Sequence, residues 1–395
     1  MATKKWIFGL GDKSLYFHPP SDRLYSGCSR WSRTNEVFDN KLHGSLKMNI
    51  VPKTAWLTVN RLCNLRCQWF YGTSTGFASG SDMNFETAKN IVLLLKDTGV
   101  KTIVIIGGEP TLWKDLFKLN DFCNSLSIKT NLVTNAYAFR SEPFWLEYLK
   151  HPNTYVEPSL KAFDQQSNLL ITNSQDFEGI KTGMRRVTGG FKCQMSVVYS
   201  TLVENDLLKM VSAAVDLGAF SVRVMICKPM SINGRFTAPF TVEYSKMVSE
   251  ISSNYGKMLD ITGNRLSFGL NTPLCIWPRD FVQEVIAKKQ IGAGCQFQQR
   301  SGIVFDTDGK VILCNSMFDC PVGQYGVDFD GSRSFLALLN SDKVGNVYKH
   351  INSYPSKECI DCDLYLHCRG GCPVMWTTHN AEKVISQAKE RKVNV

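Results

Sequence analysis

The chain has 395 residues, enough for more than one domain and a sizeable buried core. Its 44% hydrophobic and 20% charged content is that of a globular protein, and its longest apolar runs, IVLLL and IVII, are too short to cross a membrane. The net charge of +10 suits an acidic partner, but no dense basic run or Arg–aromatic cluster marks a nucleic-acid surface.

The opening MATKKWIFGLGDK has a basic start, but its apolar stretch is too short for a secretory signal. The expectation is therefore a cytosolic protein, in which fourteen cysteines read as metal ligands or catalytic groups and not as a disulfide framework. Residues 1–52 form an N-terminal extension whose segments WIFGLGDKSLYF and RWSR are expected to pack on the rest of the fold. AWLTVN (55–60) is β-rich and leads directly into RLCNLRCQWFYG. NFETAKNIVLLLKDTG reads as a helix with Asn84 as its cap and Gly99 just past its end. The strand TIVII (102–106) stops at GGEP, and a helical pattern resumes over 111–126. TNLVT (130–134) precedes a helix over 142–150. TYVEPSL, CQMSVVYS and SVRVMIC continue the strands, with helical stretches near 176–187 and 204–218.

This amounts to six strand–helix units between residues 53 and 230. Such alternation predicts an α/β fold with a parallel sheet curved into a partial (β/α)6, TIM-like barrel over 53–240. Polar residues and glycines gather just after the strands, where parallel barrels place their chemistry. Beyond 240 the alternation stops: a helical linker (241–265) leads to a cysteine-rich, loop-rich domain (266–376) and a basic helix or tail (377–395).

In the C-terminal region Cys359, Cys362, Cys368 and Cys372 are separated by two, five and three residues. Upstream lie Cys295, Gly309 and Cys314, with Cys275 and Cys320 nearby. Thiolates spaced this closely can turn inward onto one soft metal centre. A structural zinc knuckle using His367 is one reading. Eight cysteines exceed the need of one zinc and match two four-cysteine clusters. Cys28, Cys123, Cys193 and Cys227 stand alone and read as buried small hydrophobes.

CNLRCQWF after the first strand, GGEP after the second and the C-terminal cysteine spacing together resemble radical S-adenosylmethionine (SAM) enzymes with a SPASM domain, from about residue 53 to 376. The resemblance implies a CxxxCxxC loop holding a [4Fe–4S] cluster, with S-adenosylmethionine on the fourth iron. Reductive cleavage of that cofactor gives a 5′-deoxyadenosyl radical, which abstracts hydrogen from a substrate. A reductase, flavodoxin or ferredoxin is implied as electron donor. Carried over, Cys63 and Cys67 are cluster ligands, and Gly107, Gly108, Glu109 and Pro110 approach the methionine moiety. Trp69, Thr134, Asn135, Ser159 and Lys161 fall at further cofactor positions. The resemblance also assigns Cys295, Cys314 and Cys372 to one auxiliary cluster, with Cys275 as fourth ligand. Cys359, Cys362 and Cys368 bind the second, completed by Cys320, an open iron or a non-cysteine ligand, since no cysteine follows Cys372.

Phe70 occupies the third ligand position of the loop, and a phenyl ring has no lone pair for iron. Three readings stand open: a substitution in an otherwise active enzyme, a loss in a cluster-binding paralogue, or a third thiolate from elsewhere, such as Cys123. Relatives of this architecture mostly crosslink or oxidise peptides and proteins, so the implied substrate is a peptide or protein, including a precursor with an acidic leader. A small-molecule substrate is the alternative. Asn315 stands where sulfatase-maturing relatives carry an acidic base, which argues against that role; Asp306, Asp308, Asp319 and Asp328 are other carboxylates in the region, and no catalytic residue is assigned. The reading from another class is a non-catalytic iron–sulfur or electron-transfer protein, favoured by Phe70 and opposed by GGEP.

Overall fold

The computed structural model describes residues 50–70, 81–232, 235–292, 295–318 and 320–393. The readings made for residues 1–49, Cys28 among them, and for Asp319 lie outside these. The first half alternates as expected: β1 (Thr54–Thr58), α1 (Phe85–Asp97), β2 (Thr102–Ile106), α2 (Leu116–Ser125), β3 (Lys129–Thr134), α3 (Glu142–Tyr148) and β4 (Tyr155–Leu160). Next come α4 (Gln165–Thr172), α5 (Phe177–Gly190), β5 (Gln194–Tyr199), α6 (Leu207–Asp216) and β6 (Ser221–Ile226). A hairpin of β7 (Met230–Ile232) and β8 (Arg235–Thr237) precedes α7 (Tyr244–Ser253) and α8 (Tyr255–Thr262).

The local causes are legible. Asn84 caps α1, its side chain accepting the N–H groups of Glu86 and Thr87, and Gly99 takes a φ of +89° just beyond the helix. Ile91, Val92 and Leu95 on α1 are buried against the sheet. Fully burying such a side chain contributes about 1.5–3 kcal/mol. Each strand has two unlike faces. On β6, Val222, Val224 and Ile226 are buried, whereas Ser221, Arg223 and Met225 on the opposite face remain half-buried.

The cysteine-rich second half is present as expected and carries more regular structure than its pattern suggested. It is not merely loops: β9 (Leu266–Gly269), α9 (Arg279–Ala287), β10 (Gly302–Phe305), β11 (Lys310–Ile312) and β12 (Gly323–Gln324) are followed by α10 (Ser332–Leu339), α11 (Asp342–Ile351), α12 (Tyr365–Cys368) and α13 (Ala381–Val393). The main sheet runs β12-β11-β10-β1-β2-β3-β4-β5-β6-β9. From β10 to β9 every neighbouring pair is parallel, and only β11 and β12 run antiparallel. The six expected strands thus gain a parallel neighbour at each end, and the sheet crosses the linker assigned to 241–265. GIVF and LSFG are short apolar runs whose pattern alone does not distinguish strand from other buried structure. Two expected helices also shift: 241–260 divides into α7 and α8 at Asn254, and the turn Pro110–Leu112 separates GGEP from α2. Among the described residues no helix is long and apolar enough to cross a membrane.

Candidate functional site

The loops after β1 and β2 lie against each other through their backbones. Gly108 N–H donates to Asn60 O at 3.0 Å, Glu109 N–H donates to Leu62 O at 2.8 Å, and Asn60 Nδ2 donates to Glu109 O at 2.8 Å. A Cβ on Gly107 would stand 2.1 Å from Asn60 Oδ1, and one on Gly108 would stand 2.3 Å from Leu62 O. Both glycines are therefore required by the cysteine loop itself.

Glu109 is 2% exposed. Its Oε1 accepts Thr111 N–H (3.1 Å), Thr111 Oγ1 (2.7 Å) and Thr134 Oγ1 (2.7 Å), while Oε2 accepts Asn135 N–H at 2.7 Å. Burial holds its carboxyl above the usual range in spite of these donors. Pro110 is buried at the start of the turn that Glu109 caps. Asn135 Nδ2 donates to Asn64 Oδ1 at 2.8 Å and lies 4.0 Å from Cys63 Sγ.

Cys63 Sγ accepts Leu65 N–H at 3.3 Å. Burial first, and then the Glu109 carboxylate, push the Cys63 thiol up to about 12; the Leu65 N–H and the Lys161 ammonium pull the other way. Cys67 is raised by burial and lowered by Lys161. Lys161 Nζ in turn donates to Ser159 Oγ at 2.5 Å beyond β4. Cys63, Cys67, Glu109, Thr134, Asn135, Ser159 and Lys161 thus meet at the C-terminal ends of β1 to β4.

Trp69 is a buried member of the main core. Cys123 is fully buried on α2 in the same core, and Cys193 just before β5 and Cys227 just after β6 are buried there too, as expected of isolated cysteines. Phe70 is not simply a shortfall in the loop. Its ring packs with Trp56 against Val304, Ile312 and Phe318 of the C-terminal strands and turn.

The interior face of the strands carries residues that motif reasoning passed over. Glu157 on β4 accepts from Asn131 Nδ2 on β3 at 3.5 Å. Burial raises its carboxyl, and the Arg223 guanidinium from β6 lowers it. Thr58 Oγ1, Asn60 Oδ1 and Asn131 Oδ1 are buried without a hydrogen-bond partner among the described residues. Period-two reading of VEPSL and SVRVMI, which sets Glu157 and Arg223 opposite to their buried neighbours, was the available signal. The carboxylates considered from sequence sit elsewhere: Asp306 pairs with Arg61, Asp308 with Lys310 at 2.7 Å, and Asp328 accepts Gln324 N–H at 2.8 Å. Asn315 Oδ1 is buried without a partner among the described residues.

The C-terminal cysteines form two groups. Cys295, Cys314 and Cys372 all act on Lys228: burial lowers its ammonium, and the three sulfurs raise it overall. Burial pushes Cys314 up to about 12, with Lys228 opposing and Cys295 and Cys372 adding to the rise. Cys275 is not with them, contrary to its expected assignment. It lines a cavity with Cys359, Cys362 and Cys368, because its turn after β9 is bonded to the Cys368 loop while α9 carries the chain away towards Cys295. Cys320 is half-buried beside the turn Asn315–Met317 and does not line that cavity. Among the described residues no three His, Cys, Asp or Glu side chains converge as ligands of a single ion.

The donor set fits iron–sulfur chemistry in part: soft sulfurs are gathered in both C-terminal groups, and the first loop offers two with a phenyl ring at the third position.

Comparison with known proteins agrees with this geometry. Residues 57–214 match the radical SAM superfamily. Sporulation killing factor maturation protein SkfB of Bacillus subtilis is 26% identical over 242 residues, 58% of this chain and 57% of that protein. The chain thus spans little more than half the length of this curated relative. The structure of Streptococcus suis SuiB bound to precursor peptide SuiA superposes with a TM-score of 0.60 at 18% identity, covering 84% of this chain and 74% of that one. Native anSMEcpe with bound AdoMet and Cp18Cys peptide gives 0.63 at 17% identity, covering 87% and 96%. At those identities the two structures show a shared fold. With the cysteine loop, GGEP and the parallel barrel in place, the match of residues 57–214 to the radical SAM superfamily agrees with the fold, and a cysteine-rich C-terminal region follows.

Proposed function

We propose that this chain is a radical SAM oxidoreductase of the SPASM type that modifies or crosslinks a peptide or protein, and that Phe70 impairs its first cluster. The observation carrying this reading is the meeting of Cys63, Cys67, Glu109, Asn135 and Lys161 at the C-terminal end of the barrel. When bound there, cluster and S-adenosylmethionine supply a carbon-centred radical for hydrogen abstraction. Cys63 and Cys67 each offer one sulfur ligand, and the Lys161 ammonium favours their thiolate forms. Glu109 Oε2, with one donor against three on Oε1, keeps a lone pair for a cofactor ammonium. Asn131, Glu157 and Arg223 line the interior towards substrate.

Residues 53–240 serve as the radical domain and 266–376 as the auxiliary-cluster region, with 241–265 between them. A peptide substrate is supported by SkfB, a maturation protein, and by the peptides bound to SuiB and anSMEcpe. The charge of +10 suits an acidic leader segment. A reductase, flavodoxin or ferredoxin would deliver electrons in the cytoplasm.

Anaerobic incubation with dithionite and S-adenosylmethionine tests the reading. The chain as it stands should release little 5′-deoxyadenosine, and Phe70→Cys should release it readily and gain about four irons. A Phe70→Cys chain that gains no iron and cleaves nothing would leave the second reading, a non-catalytic iron–sulfur protein, which the packing of Phe70 into an apolar cluster favours.

A further inference from the structure

Cys275 lies on the short turn Leu274–Ile276, which comes after β9. Around it the chain brings together pieces remote in sequence. Cys359 ends the turn Lys357–Cys359, Cys368 ends α12, and Cys362 lies between them. With Cys275 these three line one small cavity of about 20 Å³, with Tyr365 in its wall and Ile385 and Lys389 of α13 alongside.

Two contacts hold the remote pieces in place. Leu274 N–H donates to Cys368 Sγ at 3.2 Å, so the residue before Cys275 already bonds a sulfur of the group. Gly370 and Gly371 have φ values of +71° and +81°, and a Cβ on Gly371 would stand 2.9 Å from Pro273 N. The chain leaving Cys368 therefore presses against the chain entering Cys275. The four thiols share the wall of that one cavity.

We propose that Cys275, Cys359, Cys362 and Cys368 are the four ligands of one auxiliary [4Fe–4S] cluster. The proposal deepens the proposed function and rests on its auxiliary-cluster reading. A zinc ion would need four donors about 2.0–2.3 Å from one point. The four thiols line a cavity instead, and no such convergence occurs among the described residues. A four-iron cluster, being larger, takes its thiolates from farther apart. Cys295, Cys314 and Cys372 then remain as the sulfurs of the other centre.

The full chain and its Cys275→Ala and Cys320→Ala variants are reconstituted anaerobically with iron and sulfide, then assayed for iron, labile sulfide and zinc. Cys275→Ala should lose about four irons, or keep a three-iron remnant with its own EPR signal, while Cys320→Ala keeps the parent count. The reverse pattern overturns the proposal, as does tightly bound zinc without sulfide. If Cys275→Ala fails to fold, alkylation mapping by mass spectrometry on the unsubstituted chain decides. Protection of all four thiols that chelation of iron reverses supports the assignment, and any other pattern at Cys275 overturns it. None of these readouts uses S-adenosylmethionine cleavage, so failure of the radical reading at Phe70 would show separately.

Discussion

The carboxylate of Glu109 accepts the backbone N–H of Asn135 at 2.7 Å, tying the end of β2 to the end of β3. Glutamine at 109 has one oxygen, so its NH2 must face either Asn135 N–H or the Thr111 and Thr134 donors. Glu109→Gln should cost about 1–3 kcal/mol in urea unfolding. Linkage gives the sign of the pH effect. The folded-state carboxyl is raised above its ordinary 4.5, so its contribution is fully present below that value and is lost as pH rises through the raised one. Glu109→Gln should lack this step, and an unchanged pH profile would count against the assignment.

Phe70→Cys does more than supply a sulfur. Removing the ring leaves space beside Trp56, Val304, Ile312 and Phe318. Because Phe70 is half-buried, the metal-free variant should lose about 1–2 kcal/mol, less than the 3–5 kcal/mol of a fully buried phenylalanine truncated to alanine. Thermal unfolding in chelator checks this. Equal stability would mean that the ring contributes nothing to the cluster it touches.

Arg61 and Asp306 form an ion pair between the cysteine loop and the end of β10, with side chains 11% and 6% exposed. Arg61 Nε also donates to Thr307 Oγ1 at 3.3 Å. Asp306→Asn leaves a buried guanidinium short of its partner and should cost about 3 kcal/mol, whereas the double change Arg61→Met with Asp306→Leu should lie closer to the parent. If Asp306 were instead a base acting on substrate, Asp306→Asn would lower turnover with unfolding unchanged.

Asp176 caps α5 by accepting Gly179 N–H at 2.8 Å and also accepts Tyr137 Oη at 2.7 Å. The Tyr137 hydroxyl, then the Gly179 N–H, hold its carboxyl below the ordinary 3.8. Its contribution is therefore present above that value and lost as pH falls through the lowered one. Asp176→Ala should cost about 1 kcal/mol at neutral pH. The difference from the parent should shrink in acid unfolding below the ordinary value; a constant difference would mean that the charge is irrelevant to the cap.

Local signals in the sequence were reliable where the cause was local. Asn84, Gly99 and the run TIVII each specify their own conformation, and the structure has them as expected. What escaped depends on contacts between distant segments. GIVF becomes a strand because β1 offers it a parallel edge, with Ala55 beside Ile303. Cys275 is nearer in sequence to Cys295 than to Cys359, yet the bond from Leu274 to Cys368 places it with the latter. GGEP was legible as a motif, but the steric need for its glycines appears only when Asn60 and Leu62 are seen against them. Phe70 was visible as an anomaly, whereas its apolar neighbours come from β10, β11 and the turn after them.

The parallel pairing of β1 with β10 has a consequence for biosynthesis. β1 can find β2 soon after it leaves the ribosome, but its other neighbour belongs to the cysteine-rich half. Until translation passes Phe305, the β1 backbone presents a row of unpaired peptide groups beside Trp56. Long-range parallel pairing closes slowly and leaves such edges open to the wrong partner. A ribosome-bound chain halted near residue 265 is therefore a half-built sheet with a sticky margin, and a chaperone that shields that margin would raise the yield of native protein.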